Sequence, residues 1–401
     1  AASRRRLCRA KPLRRSDRVG HATHRVFHGA ARHPFFNLCA ATRTRVRYQA
    51  EESGPRERYA DDHLACARCL LEAESERRSD ASRRQRGESA RRHHADRYVD
   101  HSCDGEARSV GGNEREHGRT MITLPESIRV FERGWLSSNN VLLVDDTCAA
   151  LVDTGYATHA PQTVALVKQA LGARGLDLIV NTHLHSDHCG GNALLQSTWP
   201  CRTAIPASEA DAVRDWDETR LTFRATGQRC ERFTFTGTIA PGAPLRLGAL
   251  DWQVLGAPGH DPHSLMLYCA SERILISADA LWENGFGVIF PELEGESGFA
   301  EEQSVLETIA KLDVRLVIPG HGSPFTNVDE ALERAFSRVA WLRADPARNA
   351  KNALKVLIVF KLLEVRAMHF DTVLRMLDDA AVMHAAASML KPRAEWPTLV
   401  R

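Results

Sequence analysis

The stretch that most restricts this chain is Thr182-His183-Leu184-His185-Ser186-Asp187-His188, where four side chains within six residues carry nitrogen or oxygen atoms suited to divalent cations. Ligands packed that closely need a loop fixed at the end of a rigid element. Three more groups of the same chemistry follow singly: His260, Asp279 and His321. All of them, and Asp153 upstream, lie just past short apolar segments. Residues 141–144 (VLLV) run into the turn signal Asp145-Asp146, and 149–152 (AALV) end at Asp153-Thr154-Gly155, so the two read as a hairpin of buried strands. A strand over 176–180 breaks into the histidine run, and one containing Trp252 and Val254 ends at Gly259-His260. Residues 274–276 lead to Asp279, and 314–318 lead to Pro319-Gly320-His321-Gly322. Helical spacing occupies 162–171 and 301–312, the latter with Val305, Leu306 and Ile309 on one face. Strands interleaved with helices predict an α/β layered domain with its chemistry in loops at strand ends.

A catalytic single-zinc site uses about three protein ligands and keeps one position open. The seven groups His183, His185, Asp187, His188, His260, Asp279 and His321 therefore suit two ions, with three groups each and one shared carboxylate. Asp279 is the natural bridge, because a carboxylate has two oxygens. Two ions roughly 3.5–4 Å apart can hold a hydroxide between them and clamp both the attacking and the leaving oxygen.

The order HxHxDH, Pro258-Gly259-His260, an Asp after a strand, and Pro319-Gly320-His321-Gly322 resembles the metallo-β-lactamase superfamily over about residues 122–325. The resemblance implies an αββα sandwich. It implies a first metal held by His183, His185 and His260, and a second held by Asp187, His188 and His321, with Asp279 bridging. Asp153 would support the site by hydrogen bonding, and Asp187 would serve catalysis by taking or giving a proton. The expected cofactors are two divalent ions, zinc first, with iron and manganese also suited to the donors. The expected activity is metal-dependent hydrolysis of a small ester-like substrate by a metal-bound hydroxide.

Within that family, the 42-residue step from Asp279 to His321 is too short for the inserted domain of the nucleic-acid-processing branch. The oxygen-reducing diiron branch carries Glu at the position of His185 and adds a flavin domain. Many true β-lactamases carry Cys where this chain has Asp279. A shared Asp is usual in members resembling glyoxalase II, lactonases and phosphodiesterases, and the net acidic charge after Met121 argues against polynucleotides, so a thioester or lactone is favoured. The alternatives are a phosphodiesterase or nuclease of the same fold, or a metal-binding scaffold without turnover.

Charge divides the chain. Residues 1–120 hold 27 Lys+Arg against 17 Asp+Glu, with 26 of the 27 being Arg, whereas the remainder holds 26 against 34. The acidic remainder would repel a phosphate backbone, which argues against a nucleic-acid partner and for a small-molecule one. The basic segment has no apolar periodicity, and the first Met in the sequence is Met121. Residues 1–120 are therefore expected to be disordered or extraneous, with Met121 beginning the authentic protein. Cys66-x-x-Cys69 with His93, His94 and Cys103 is read as a chance spacing in a Cys- and His-rich segment rather than a zinc knuckle. The odd set of cysteines after Met121 (Cys148, Cys189, Cys201, Cys230, Cys269) and the absence of a ~20-residue apolar run point to a cytoplasmic protein that does not enter a membrane.

The expected domains are 1–120, the sandwich at 121–326, and a helical C-terminal appendage at 327–401. A capping box at Asn327 and Glu330 would start the first helix, Asp345-Pro346 would break it, and amphipathic segments at about 350–366 and 371–389 would follow. Their apolar faces would pack on the main domain or form a homo-oligomer. Four residues keep two readings. His263 suits a structural or a substrate-contact role, while Trp282, Phe286 and Phe290 suit core packing or a pocket wall. Cys189 reads as a small buried thiol.

Overall fold

The computed structural model describes residues 123–400, so the expectations for residues 1–120 and for Met121 lie outside the described residues. Among the described residues, eleven strands form two sheets. The first contains β1 (Ile128–Phe131), β2 (Asn140–Val144), β3 (Ala149–Val152), β4 (Leu178–Val180), β5 (Arg202–Pro206) and β6 (Gly237–Ile239), side by side in that order. The first three are antiparallel neighbours, and β3 to β6 run parallel. The second contains β7 (Pro244–Leu247), β8 (Leu250–Gly256), β9 (Leu265–Cys269), β10 (Ile274–Ala278) and β11 (Leu316–Pro319). It is antiparallel except for the parallel pair β10 and β11.

Alternation along the strands shows how the layers stack, since successive side chains point to opposite faces of a sheet. Val141 and Leu143 of β2 and Val152 of β3 share a core with Trp252, Val254, Leu267, Ile274, Ile276, Leu316 and Ile318 of the second sheet. That cluster lies between the sheets. Leu142, Leu151 and Ile179 point the other way, toward α1 (Ala160–Leu171) and a later helix that carries Leu195. Met266, Tyr268, Leu275 and Val317 form the opposite outer face of the second sheet. The result is the αββα sandwich expected from the sequence. Both strands of the hairpin 140–152 are buried on both faces, which is why they read as unbroken apolar runs.

Between the strands, α2 (Ser186–Cys189) is one short turn inside the histidine run, and α3 (Asn192–Thr198) follows it. Two small helices, α4 (Ala210–Asp215) and α5 (Phe223–Thr226), fill the connection from β5 to β6. Between β10 and β11, α6 (Phe299–Ile309) lays Val305, Leu306 and Ile309 on the outer face of the second sheet. Beside it α7 (Val328–Arg343) buries Ala331, Leu332, Ala335, Val339 and Leu342 in the same cluster.

Then come α8 (Ala347–Val365), α9 (Phe370–Asp379) and α10 (Ala381–Leu390). The single helix expected over 371–389 is two. Ala380, which is buried, has extended backbone (φ −93°, ψ 112°), and this corner lets α10 fold back against α8. The expected capping box at Asn327 is also absent. The Asn327 side chain makes no cap bond and instead donates to the carboxylates of Glu283 and Glu330. Residues of α5, α8, α9 and α10 share a cluster with Val288 and Leu293, which belong to the loop after β10. No helix among the described residues is long and apolar enough to cross a membrane.

Candidate metal centre

Every sequence-predicted site residue lies within a few residues of a strand end. Asp153 follows β3, the run 183–188 follows β4, His260 follows β8, Asp279 follows β10, and His321 follows β11. Two of these junctions use left-handed backbone at residues other than glycine: Asp153 (φ 56°) and Ala278 (φ 47°). Such conformations cost roughly 1–2 kcal/mol each for L-residues. Strain of that kind persists where surrounding contacts impose it, and here it turns Asp153 and Asp279 inward.

The seven groups meet in one cluster at the edge between the sheets. Donor atoms of His183, His185 and His260 lie within 4.8 Å of one another, as do those of Asp187, His188 and His321. The same holds for His183, His188 and Asp279. His185 Nδ1 is 3.1 Å from His183 Nε2 and 2.8 Å from His260 Nε2. Asp279 Oδ2 is 3.4 Å from both His188 Nε2 and His260 Nε2, and Oδ1 is 3.9 Å from His321 Nε2. His321 Nε2 is 3.1 Å from Asp187 Oδ2. Two donors each about 2.0–2.1 Å from a tetrahedral ion stand roughly 3.3 Å apart, so these spacings fit a metal cradle.

The outward nitrogens of four of the rings (His183, His185, His188 and His260) have partners that hold their orientation, whereas His321 Nδ1 is buried without one among the described residues. Thr182 Oγ1 is 3.1 Å from His183 Nδ1, and the Val288 carbonyl is 2.5 Å from His260 Nδ1. Asp153 Oδ2 is 2.8 Å from His188 Nδ1 and also accepts the Thr182 hydroxyl, while Oδ1 accepts the Thr182 N–H. Asp261 Oδ2 is 3.3 Å from His185 Nε2. Burial, followed by the neighbouring imidazoles, pushes His183 well below the usual range for histidine, and burial with His185 beside it pushes His260 down to about 4. Both are neutral near pH 7, as metal ligation requires. Burial opposes charge on His188 too, but the carboxylates of Asp279 and Asp153 outweigh it and raise the ring well above its ordinary value. Beside Asp261 stands Glu209, whose carboxyl is pushed well up by burial and then by the Asp261 charge.

The rim of the cluster is aromatic. Trp135 stacks on His321 with centroids 5.5 Å apart and planes 11° apart, and it is 48% exposed. Trp282 meets His321 edge-on at 5.3 Å and donates from Nε1 to Asp279 Oδ1 at 3.2 Å. Phe290 meets the rings of His185 and His260, both at 5.4 Å. Of the residues with two readings, Trp282 and Phe290 thus border the cluster, while Phe286 is fully buried in the outer core. His263 is half-buried, and its backbone N–H bonds Asp261 Oδ1 at 2.7 Å. Cys189 is buried, with its Sγ 3.8 Å from Cys230 Sγ.

Sequence reasoning missed Trp135 and Asp261. Trp135 belongs to the loop between β1 and β2, which is bonded to both ligand loops through Ser138 N–H to Asp187 O and Asn139 N–H to Gly320 O. An aromatic beside Gly134 in a turn was the only local sign of it. Asp261 had a plainer signal, being a carboxylate next to His260 in sequence.

Comparison with known proteins gives a consistent result. The sequence model of the metallo-beta-lactamase superfamily matches residues 133–321. A hydroxyacylglutathione hydrolase of Rhodopseudomonas palustris (strain HaA2) is 29% identical over 191 residues, covering 48% of this chain and 65% of that protein. The chain thus spans just under two thirds of that relative's length. The protein of the same name from strain ATCC BAA-98 / CGA009 is 30% identical over 212 residues, covering 52% of this chain and 71% of that protein. Among solved structures, a metallo-beta-lactamase family protein from Thermus thermophilus is 20% identical with a TM-score of 0.46, covering 67% of this chain and 94% of that one.

Proposed function

The chain belongs to the metallo-β-lactamase superfamily, and from that premise we propose that it is a dinuclear metal-dependent hydrolase of small thioesters or lactones. The observation that carries this reading is the position of Asp279. One carboxylate oxygen lies 3.4 Å from a nitrogen of each of two separate imidazole groups, which is where a bridging ligand belongs. In this reading His183, His185 and His260 hold one ion, and Asp187, His188 and His321 hold the other. Zinc suits these donors first, and iron and manganese also suit them. Two such ions would supply Lewis acidity and a water activated at neutral pH.

The remaining work falls to the chain itself. Asp153 fixes the His188 ring by accepting at Oδ2 and ties it to the backbone of Thr182. The Val288 carbonyl and the Thr182 hydroxyl do the same for His260 and His183. Asp187, whose Oδ2 lies 3.1 Å from His321 Nε2 among the donor atoms, keeps a second oxygen to take up and return a proton during turnover. Trp135, Trp282 and Phe290 exclude water from the mouth and offer apolar surface to an acyl group. The names of the Rhodopseudomonas relatives support a thioester as the substrate class. The acidic balance after residue 120, 26 Lys+Arg against 34 Asp+Glu, supports a small molecule over a polynucleotide.

Metal analysis with a substrate panel tests the reading. Purified protein should bind about two ions per chain, lose hydrolysis on chelation, and regain it on reloading. Thioesters and lactones should turn over faster than RNA or single-stranded DNA. Undiminished hydrolysis after chelation, or salt-sensitive nuclease activity as the dominant reaction, would overturn it.

A further inference from the structure

We propose that Asp261 is a positioning residue that sets the tautomer of His185 and thereby the affinity of one of the two metal positions. The proposal rests on the metal-centre reading above. His183, His188 and His260 turn Nε2 toward the cluster, whereas His185 turns Nδ1 inward. An imidazole used that way has its inward nitrogen close to its own backbone, so its Nε2 projects away from the chain and needs a partner from elsewhere. That partner is Asp261, whose Oδ2 is 3.3 Å from His185 Nε2.

The Asp261 carboxylate is itself fixed. Oδ1 accepts the His263 N–H at 2.7 Å, its carbonyl accepts the Ser264 N–H at 3.2 Å, and the side chain is only 6% exposed. One oxygen is committed to the turn and the other faces His185. A carboxylate accepts only, so it holds the proton of a neutral imidazole on Nε2 and leaves the Nδ1 lone pair facing the cluster. Asp153 stands in the matching relation to His188. Each proposed metal position then has one imidazole backed by a carboxylate, an arrangement that raises ligand basicity and fixes ring orientation. Because Asp261 follows His260 directly, any shift of that loop reaches two ligands of the same position together.

Asp261→Asn separates this role from mere turn formation. Asparagine can keep the turn by accepting the His263 N–H, but it then presents its NH₂ to His185 Nε2. Two donors face each other, and the tautomer with the proton on Nδ1 is favoured, the wrong one for a ligand. Cobalt and zinc titrations of wild type and variant, read by visible absorption and by competition with a chromophoric chelator, would measure each position. Asp261→Asn should weaken one of two sequential ion affinities by about 10–100-fold and change the cobalt spectrum of that position. The other affinity and the melting temperature of the metal-free protein should not change. Wild-type affinities at both positions in the variant would reduce Asp261 to a turn former and overturn the proposal, and so would equal loss at both positions. If the wild type itself binds no second ion, the two-metal reading fails first, and the separate roles of Asp261 and Asp153 fail with it.

Discussion

The two sheets contribute to the centre in different ways. The first sheet delivers its four proposed ligands in one stroke, as a single run wound around the short helix α2. That run is locked by backbone bonds, among them Thr154 N–H to His188 O at 2.7 Å and Cys189 N–H to His185 O at 3.1 Å. The second sheet delivers His260, Asp279 and His321 from three separate strand ends, and its accuracy depends on close packing. Gly320 lies against the Asp279 carboxylate and the Ala278 backbone, and Gly287 lies against the His260 ring, so that a Cβ at either position would collide. One half draws its ligands from one continuous segment, the other from three loops held against one another, although Gly190 and Gly191 beside the run are packed as closely as Gly287 and Gly320. The second arrangement should be the more fragile one.

Removing Asp279, the proposed bridge, should have the largest effect. Asp279→Ala should lose both ions and lower kcat/KM by more than the ~10–100-fold typical of outer partners. Metal analysis and steady-state kinetics check this, and a fully loaded, active variant would remove Asp279 from the bridge. Next come the glycines. Gly320→Ala should displace Asp279 and cost about 1–3 kcal/mol as an overpacked contact, seen as a lower melting temperature together with lost metal. On the other side, Asp153→Ala should weaken metal binding by about 10–100-fold with a smaller loss of folding stability than Gly320→Ala. If Asp153→Ala proves the more destabilising in thermal melts, the contrast between the halves is wrong.

A smaller effect concerns Glu302 of α6, which is fully buried against Gly259. Burial pushes its carboxyl well above the usual range, with the Arg338 charge opposing. A carboxyl raised in the folded state contributes full stability below its unfolded pKa and loses that contribution as pH rises through the folded value. Glu302→Gln, which is uncharged at every pH, should therefore gain melting temperature relative to wild type as pH rises above the ordinary carboxylate range. A difference that stays constant from roughly pH 4 to pH 9, a span that starts at the ordinary carboxylate value, would show that Glu302 does not titrate there.

The candidate ligands were legible because four fall within six residues and the other three each lie just past a short apolar segment. The sandwich was legible for a related reason: strands buried on both faces, such as 141–144 and 274–276, leave no polar alternation to confuse with helix. Strand β6 was not read, since it has three residues, two of them exposed. Neither was β5, whose Arg-Thr-Ala-Ile-Pro carries a mixed pattern. The corner at Ala380 has no Gly or Pro to announce it, because tertiary packing of α10 on α8 makes the turn rather than local propensity. The outer partners of the rings were the least legible. A carbonyl such as that of Val288 has no signature in a sequence, and its value comes only from where the fold sets it.

The distances along the chain between these neighbouring donors carry a further consequence. His185 and His260 are 75 residues apart in sequence, and Asp187 and His321 are 134 apart. An ion shared by either pair closes a long chain loop, as a disulfide would, and a cross-link over loops of that size removes about 4.5–5 kcal/mol of unfolded-state entropy. In a loaded protein, metal and polypeptide would together form a ring system that spans the two sheets. Parting the sheets of a loaded protein would release the ion, so its unfolding would carry the added cost of metal loss, while the ion could still leave the folded chain.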